Sequence, residues 1–198
     1  MNAVKPLTIV AAGALMLACG AAQADKGPGF YAGVGYSHMT LETDGADFLL
    51  PTTTFHVGVE LSPNLQLEAR YGINAGDDEQ SYQLSEYPLY MNVHETIETT
   101  AYWAVLAKIQ VPVTTTFSVY GMIGMNHLAA ESSGTYEILS VFDNYYDYGT
   151  LSGESEETST TYGIGAQLKL GESFALAGEY QRMFKDVSGF NVGLSYRF

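Results

Sequence analysis

Cysteine is almost missing from this chain. Its one cysteine is Cys19, so neither a disulfide framework nor a thiolate metal cluster can be built. Cationic residues are scarce as well: eight Lys and Arg stand against 22 Asp and Glu, for a formal net charge of −14. Nucleic-acid phosphates are bound chiefly by Lys and Arg, so no nucleic-acid partner is expected. Beyond the first 24 residues no apolar run approaches the roughly 18–20 residues of a transmembrane helix. Histidine is limited to His38, His56, His94 and His127. No two of them share a metal-ligand spacing, and no EF-hand loop occurs. A serine nucleophile needs a histidine within reach, oriented in turn by a carboxylate. The nearest serines after His127 are Ser132 and Ser133, in a stretch that reads as loop. No catalytic residue, metal or cofactor is assigned.

What is present begins with a leader. Lys5 supplies a positive start, Leu7 to Cys19 an apolar stretch, and Ala22-Gln23-Ala24 a small-x-small cleavage site. Residues 1–24 are expected to be a signal peptide, leaving a single domain over 25–198 that starts at Asp25. Cys19 then leaves with the leader; the alternative is lipoprotein processing at Met16-Leu17-Ala18-Cys19.

The rest alternates with a period of two. In the final stretch Phe190, Val192, Leu194, Tyr196 and Phe198 interleave with Asn191, Gly193, Ser195 and Arg197. Successive side chains of a strand face opposite ways, so one face is apolar and the other small or polar. Seven further segments repeat the pattern, at about 29–41, 52–61, 65–74, 99–111, 116–128, 158–170 and 174–184. Short turns fall at Ser62-Pro63-Asn64, after Pro112 and at Gly171-Glu172-Ser173, built from turn-forming residues. Longer loops are expected at 42–50, 75–95 and 129–157. Short turns and long loops alternate, which puts all turns at one end. The expected fold is all-β: a transmembrane, eight-stranded, antiparallel up-and-down β-barrel in the outer membrane of a Gram-negative bacterium, crossing it many times.

Gly29-Phe30-Tyr31-Ala32-Gly33-Val34-Gly35-Tyr36-Ser37 and the stretch from Gly189 to Phe198 resemble the small barrels related to the transmembrane domain of outer membrane protein A. The resemblance implies that Tyr196 and Phe198 carry the signal read by the barrel assembly machinery. A peptidoglycan-binding domain, and with it a cell-wall anchoring role, is not expected. Some barrels of this size modify lipid A. Asn126-His127-Leu128 lacks the His-x-Ser arrangement of the deacylases among them, and an enzyme is kept only as a third alternative.

Two candidate sites follow. Inward-facing positions carry His56, Glu60, Glu68, Arg70, Lys108, Lys169, Glu179 and Arg197. A turn at Ser62–Asn64 sets Leu61 opposite Leu65, Gly58 opposite Glu68 and His56 opposite Arg70; the turn at Gly171–Ser173 sets Gly165 opposite Glu179. Unpaired buried charge costs several kcal/mol, so Glu68 and Glu179 are expected to pair with Arg70, Lys108 or Arg197. This network either seals the lumen or gates a narrow, porin-like ion path. The second site lies in the loops, where most acids fall. Tyr145, Tyr146 and Tyr148 among them resemble an interaction patch for a host or phage surface ligand, or an aromatic girdle together with Trp103 and Tyr162. Asp143, Asp147, Glu154, Glu156 and Glu157 are weak calcium candidates. The other expected partners are membrane lipids and lipopolysaccharide, around a monomer.

Overall fold

Every second residue of the final segment is exposed and apolar: Phe190, Val192, Leu194 and Tyr196 face out, and Asn191, Gly193 and Ser195 face in. The same split recurs along the chain in a computed structural model that describes residues 29–42, 47–86, 89–140 and 146–198. Nine strands and no helix are found among them: β1 (Gly29–Glu42), β2 (Asp47–Ser62), β3 (Leu65–Asn74), β4 (Asp78–Glu86), β5 (Leu89–Pro112), β6 (Phe117–Ser140), β7 (Tyr146–Leu170), β8 (Phe174–Arg182) and β9 (Val187–Arg197). The expected leader and Asp25 lie outside the described residues.

All neighbours are antiparallel, in the order β3-β2-β1-β9-β8-β7-β6-β5-β4, and β3 also pairs with β5. That last pairing closes an eight-stranded ring and leaves β4 outside it, its strand ladder running along the upper part of β5. Closure gives every wall strand two neighbours, so no backbone edge faces the surroundings at that level. Outward residues such as Val105 (54% exposed), Ile109 (62%) and Ile164 (69%) form a continuous apolar wall. A patch of that extent is far beyond what a water-soluble surface carries; hydrocarbon is the solvent that fits it.

Register follows largely from the turns. His56 pairs with Arg70, Gly58 with Glu68, and Gly165 with Glu179, as the turn arithmetic requires. At the first turn the ladder shifts between Glu60 and Ser62, so Ser62, not Leu61, faces Leu65. Leu61 becomes the extra residue of a bulge, which tightens the turn to Pro63 and Asn64.

Two expected loops are instead strands. The 75–95 stretch contains β4 and the start of β5, and 129–157 contains the ends of β6 and β7. Their Ser, Gly and Glu content reads as loop, but the ladder begun in the wall continues upward unbroken from Phe117–Leu168 to Leu139–Tyr146. Once a hairpin is zipped in register, each further pair adds hydrogen bonds with little new ordering. The result is a four-stranded sheet, β4-β5-β6-β7, rising above one side of the barrel.

Candidate functional site

The lumen is layered. At mid-height four charges from three strands meet. Arg70 Nε lies 2.5 Å from Glu68 Oε1, and its Nη2 lies 2.5 Å from Glu179 Oε2. Lys108 Nζ lies 2.8 Å from Glu68 Oε2 and 2.8 Å from Glu179 Oε1. Two acids and two bases cancel, and each carboxylate oxygen is used. β3 and β8 stand opposite one another in the ring, so the Arg70–Glu179 contact crosses the whole lumen. Tyr31 donates to Glu68 Oε2 at 2.8 Å and Tyr120 to Glu179 Oε1 at 2.5 Å, while Lys108 Nζ sits 5.0 Å from the Tyr120 ring centroid. Both tyrosines need a glycine opposite. A Cβ on Gly58 would fall on the Tyr31 ring, and one on Gly165 would stand 2.5 Å from Tyr120 Cζ.

Arg197 takes another partner than the expected ones. It lies at the turn end of the lumen, half exposed, 2.6 Å from Glu60. Between the two levels Gln66 donates to Gln110 at 2.7 Å, and Gln110 donates to Ser118 and Gln167. The free space among the four central charges is ≈20 Å³, about the room of one water.

Above the charges the lumen turns apolar. Met39, Phe48, Leu50, Ile97, Tyr102, Leu106, Met122, Leu128, Met183, Phe184 and Val187 form one buried cluster. Alternation read as uniformly polar inside missed this plug. Phe48 and Leu50 come from a stretch that reads as loop. Ile97 faces inward because the β5–β6 register shifts between Thr99 and Ala101, which exchanges the faces of β5 above that point.

The outer end of the barrel is acidic. Glu98 pairs with Glu131 and Glu131 with Glu154, a row of three carboxylates across β5, β6 and β7. With Asp77 they line an open hollow of ≈720 Å³. Like charges directly opposite one another on a sheet are destabilising; within the row Glu98 accepts a 3.3 Å hydrogen bond from Asn74. On the hairpin Tyr82 donates to Glu95 at 2.9 Å; burial, then that hydrogen bond, raises its pKa above the usual tyrosine value. Of the expected tyrosine patch, Tyr145 lies outside the described residues, Tyr146 opens β7, and Tyr148 is 74% exposed. Asp143 is also outside them; among the described residues no three His, Cys, Asp or Glu side chains are placed to hold a metal. Trp103 stacks on His127 on the outer wall, 5.5 Å between centroids at 16°, and Tyr162 stands exposed beside that belt.

Among the described residues, two histidines lie against a hydroxyl. Ser81 Oγ lies 2.7 Å from His94 Nδ1, and Thr158 Oγ1 lies 2.9 Å from His127 Nδ1. Ser81 and His94 are exposed on the hairpin, where water competes for the bond; Thr158 and His127 lie on the outer face beside Trp103. The Ser81–His94 pairing could not be seen without the β4–β5 register.

The model of the outer membrane protein beta-barrel domain family matches residues 9–198. No curated protein matches the chain by sequence. Among solved structures, Ail, the attachment invasion locus protein of Yersinia pestis, in complex with the heparin analogue sucrose octasulfate, superposes with a TM-score of 0.50 at 18% identity, over 86% of this chain and 99% of that one. The N-terminal β-barrel domain of Pseudomonas aeruginosa OprF gives 0.45 at 13%, over 85% and 97%. Acinetobacter baumannii CarO gives 0.46 at 12%, over 84% and 97%.

Proposed function

Because this chain belongs to the outer membrane protein beta-barrel domain family and resides in the outer membrane of a Gram-negative bacterium, we propose that it is a sealed, non-enzymatic barrel whose work is done by the acidic sheet it raises above the membrane. The supporting observation is the lumen itself. A neutral cluster of four charges with ≈20 Å³ among them lies under an apolar plug. An ion crossing would have to break buried pairs and then leave them for hydrocarbon-like surroundings, each costing several kcal/mol. The plug weighs against the porin-like reading, in which the charge cluster acts as a gate.

The surface role rests on the acids. Glu98, Glu131 and Glu154 face one another at a cost in stability, and such a cost is retained where a cationic partner relieves it. The partner expected is a basic host or phage surface protein. A sulfated polysaccharide would be repelled. Divalent cations bridging to lipopolysaccharide phosphates are a second way to relieve the row. By resemblance, Tyr196 and Phe198 serve the barrel assembly machinery. Exposed Tyr148 adds amphipathic contact area beside the acids.

Two measurements test this. Planar-bilayer recordings of the wild type, of Glu68→Ala and of a variant with Met39 and Phe48 both replaced by alanine should be silent in the first two; steady conductance in the wild type refutes the sealed barrel. Cells expressing the full chain, or a chain with 129–157 shortened to a tight turn, are tested on surfaces coated with a basic protein. Equal adhesion by both refutes the surface role.

A further inference from the structure

β7 is 25 residues long, but β8 covers only Tyr162 to Leu170 of it. Its other edge is covered by β6 as far as Tyr146. From Gly149 to Thr161, one edge of β7 therefore has no strand beside it among the described residues.

The direction of its backbone groups can be read. Lys169 N donates to Thr116 O, so Lys169 turns its backbone toward β6. The β6–β7 register is unbroken, and backbone direction alternates along an antiparallel strand. Thr150, Ser152, Glu154, Glu156, Thr158 and Thr160 thus point N–H and C=O at the open edge. Leu151 to Thr158 are exposed on both faces, so nothing packed above or below blocks an approaching chain. Such an edge is a template for another strand. β4, the other edge of the raised sheet, is only nine residues long, and its foot is braced against β2 by a 2.8 Å bond from Leu49 N to Asp78 Oδ2.

We propose that the open edge of β7 over Gly149–Thr161 takes up an extended peptide segment bearing lysine or arginine as an added strand, seated above the end of β8. This rests on the surface role argued above and names how the partner is held. Main-chain bonds supply the grip in strand addition, and side chains opposite the edge supply the selection. Glu154 and Glu156 lie on the outer face and Glu157 on the inner, so a basic residue on either face of the incoming strand meets a carboxylate. A second copy of β7 would set the same acids against one another, which opposes self-pairing.

The test uses the full chain in lipid nanodiscs and three synthetic probes: an extended peptide of alternating threonine and lysine, the same peptide with alternate amides N-methylated along the pairing edge, and a version with glutamate for lysine. The lysine peptide is expected to slow hydrogen exchange at Ser152, Glu154, Glu156 and Thr158. N-methylation should weaken its binding about tenfold or more, since several main-chain bonds are lost together. Ser152→Pro removes one edge N–H, a change tolerated on an edge strand. It should weaken binding about tenfold while leaving β6–β7 exchange unchanged. Replacing Glu154 and Glu156 by glutamine should weaken it several-fold. Equal binding of the N-methylated peptide overturns strand addition while leaving an acidic surface role intact. Equal binding of the glutamate peptide, or no binding of any probe, overturns the charge selection as well. Dimers in sedimentation that Ser152→Pro abolishes would give the edge to a second copy and overturn the proposal.

Discussion

Replacing Lys108 by methionine should destabilise the barrel by about 3–5 kcal/mol, the usual cost of removing one partner from a buried ion pair. The substitution keeps much of the stem's volume and removes the charge. Lys108 makes two contacts of 2.8 Å, to Glu68 and Glu179. At an effective dielectric of about 20 each is worth roughly 6 kcal/mol of gross attraction, most of it offset by desolvation. Once Lys108 is gone, Arg70 alone faces two carboxylates that are almost fully buried, and the cluster carries one net negative charge. The second half of the prediction is a rescue. Lys108→Met combined with Glu179→Gln restores neutrality and should recover more than half of the loss, a coupling of at least about 2 kcal/mol in a double-mutant cycle. Urea unfolding in lipid vesicles, followed by the mobility difference between folded and unfolded barrel on gels, measures all four corners. Raising the salt to about 1 M should leave the coupling nearly unchanged, because ions do not screen a sealed pair. A single-variant cost below about 1 kcal/mol, with no coupling, is what an exposed pair would give. That result would refute the sealed lumen.

Three further outcomes are expected. Gly58→Val drives a side chain into Tyr31 and so displaces the hydroxyl that serves Glu68; it should cost about 1–3 kcal/mol by the same assay, and Tyr31→Phe in the Gly58→Val background should not recover it, because the ring itself is in the way. Tyr82 titrates above its ordinary value of 10.0 in the folded hairpin, so folded Tyr82 holds its proton where the unfolded chain has lost it. Hairpin stability should then fall as the pH rises above about 10, and Tyr82→Phe should lose that dependence; an identical alkaline profile in both refutes it. Phe198→Ala removes the ring that packs edge-on against Tyr196, 5.2 Å between centroids. Folded protein recovered from the outer membrane should drop several-fold while refolding of the purified chain in detergent is little changed. Equal loss in both would make Phe198 a packing residue and not an assembly signal.

The wall was legible because its rule is local. Val105 or Ile164 needs only its two-residue spacing to be placed outside, and Gly58 opposite Glu68 needs only a turn to count from. The raised sheet was not legible, because Ser132, Ser133 and Ser152 carry no strand preference of their own; they are strands because the rows beneath them are already paired. The apolar plug was hidden for a related reason. The β5–β6 register shift between Thr99 and Ala101 exchanges inside and outside above it, and no local pattern announces that exchange.

Taken alone, the sequence determined that this chain would be a ring of antiparallel strands with greasy positions outward, and the register of the two hairpins whose short turns could be counted, away from the bulge at Leu61. A side chain's face and its cross-strand partner depend on parity and on turn length, and both are written locally. The meeting of Lys108 with Glu179, 71 residues away, the choice of Glu60 for Arg197, and the open edge of β7 were decided only by the closed structure. Parity says that a residue points inward, but only the curvature and height of each strand around the ring say what it will find there.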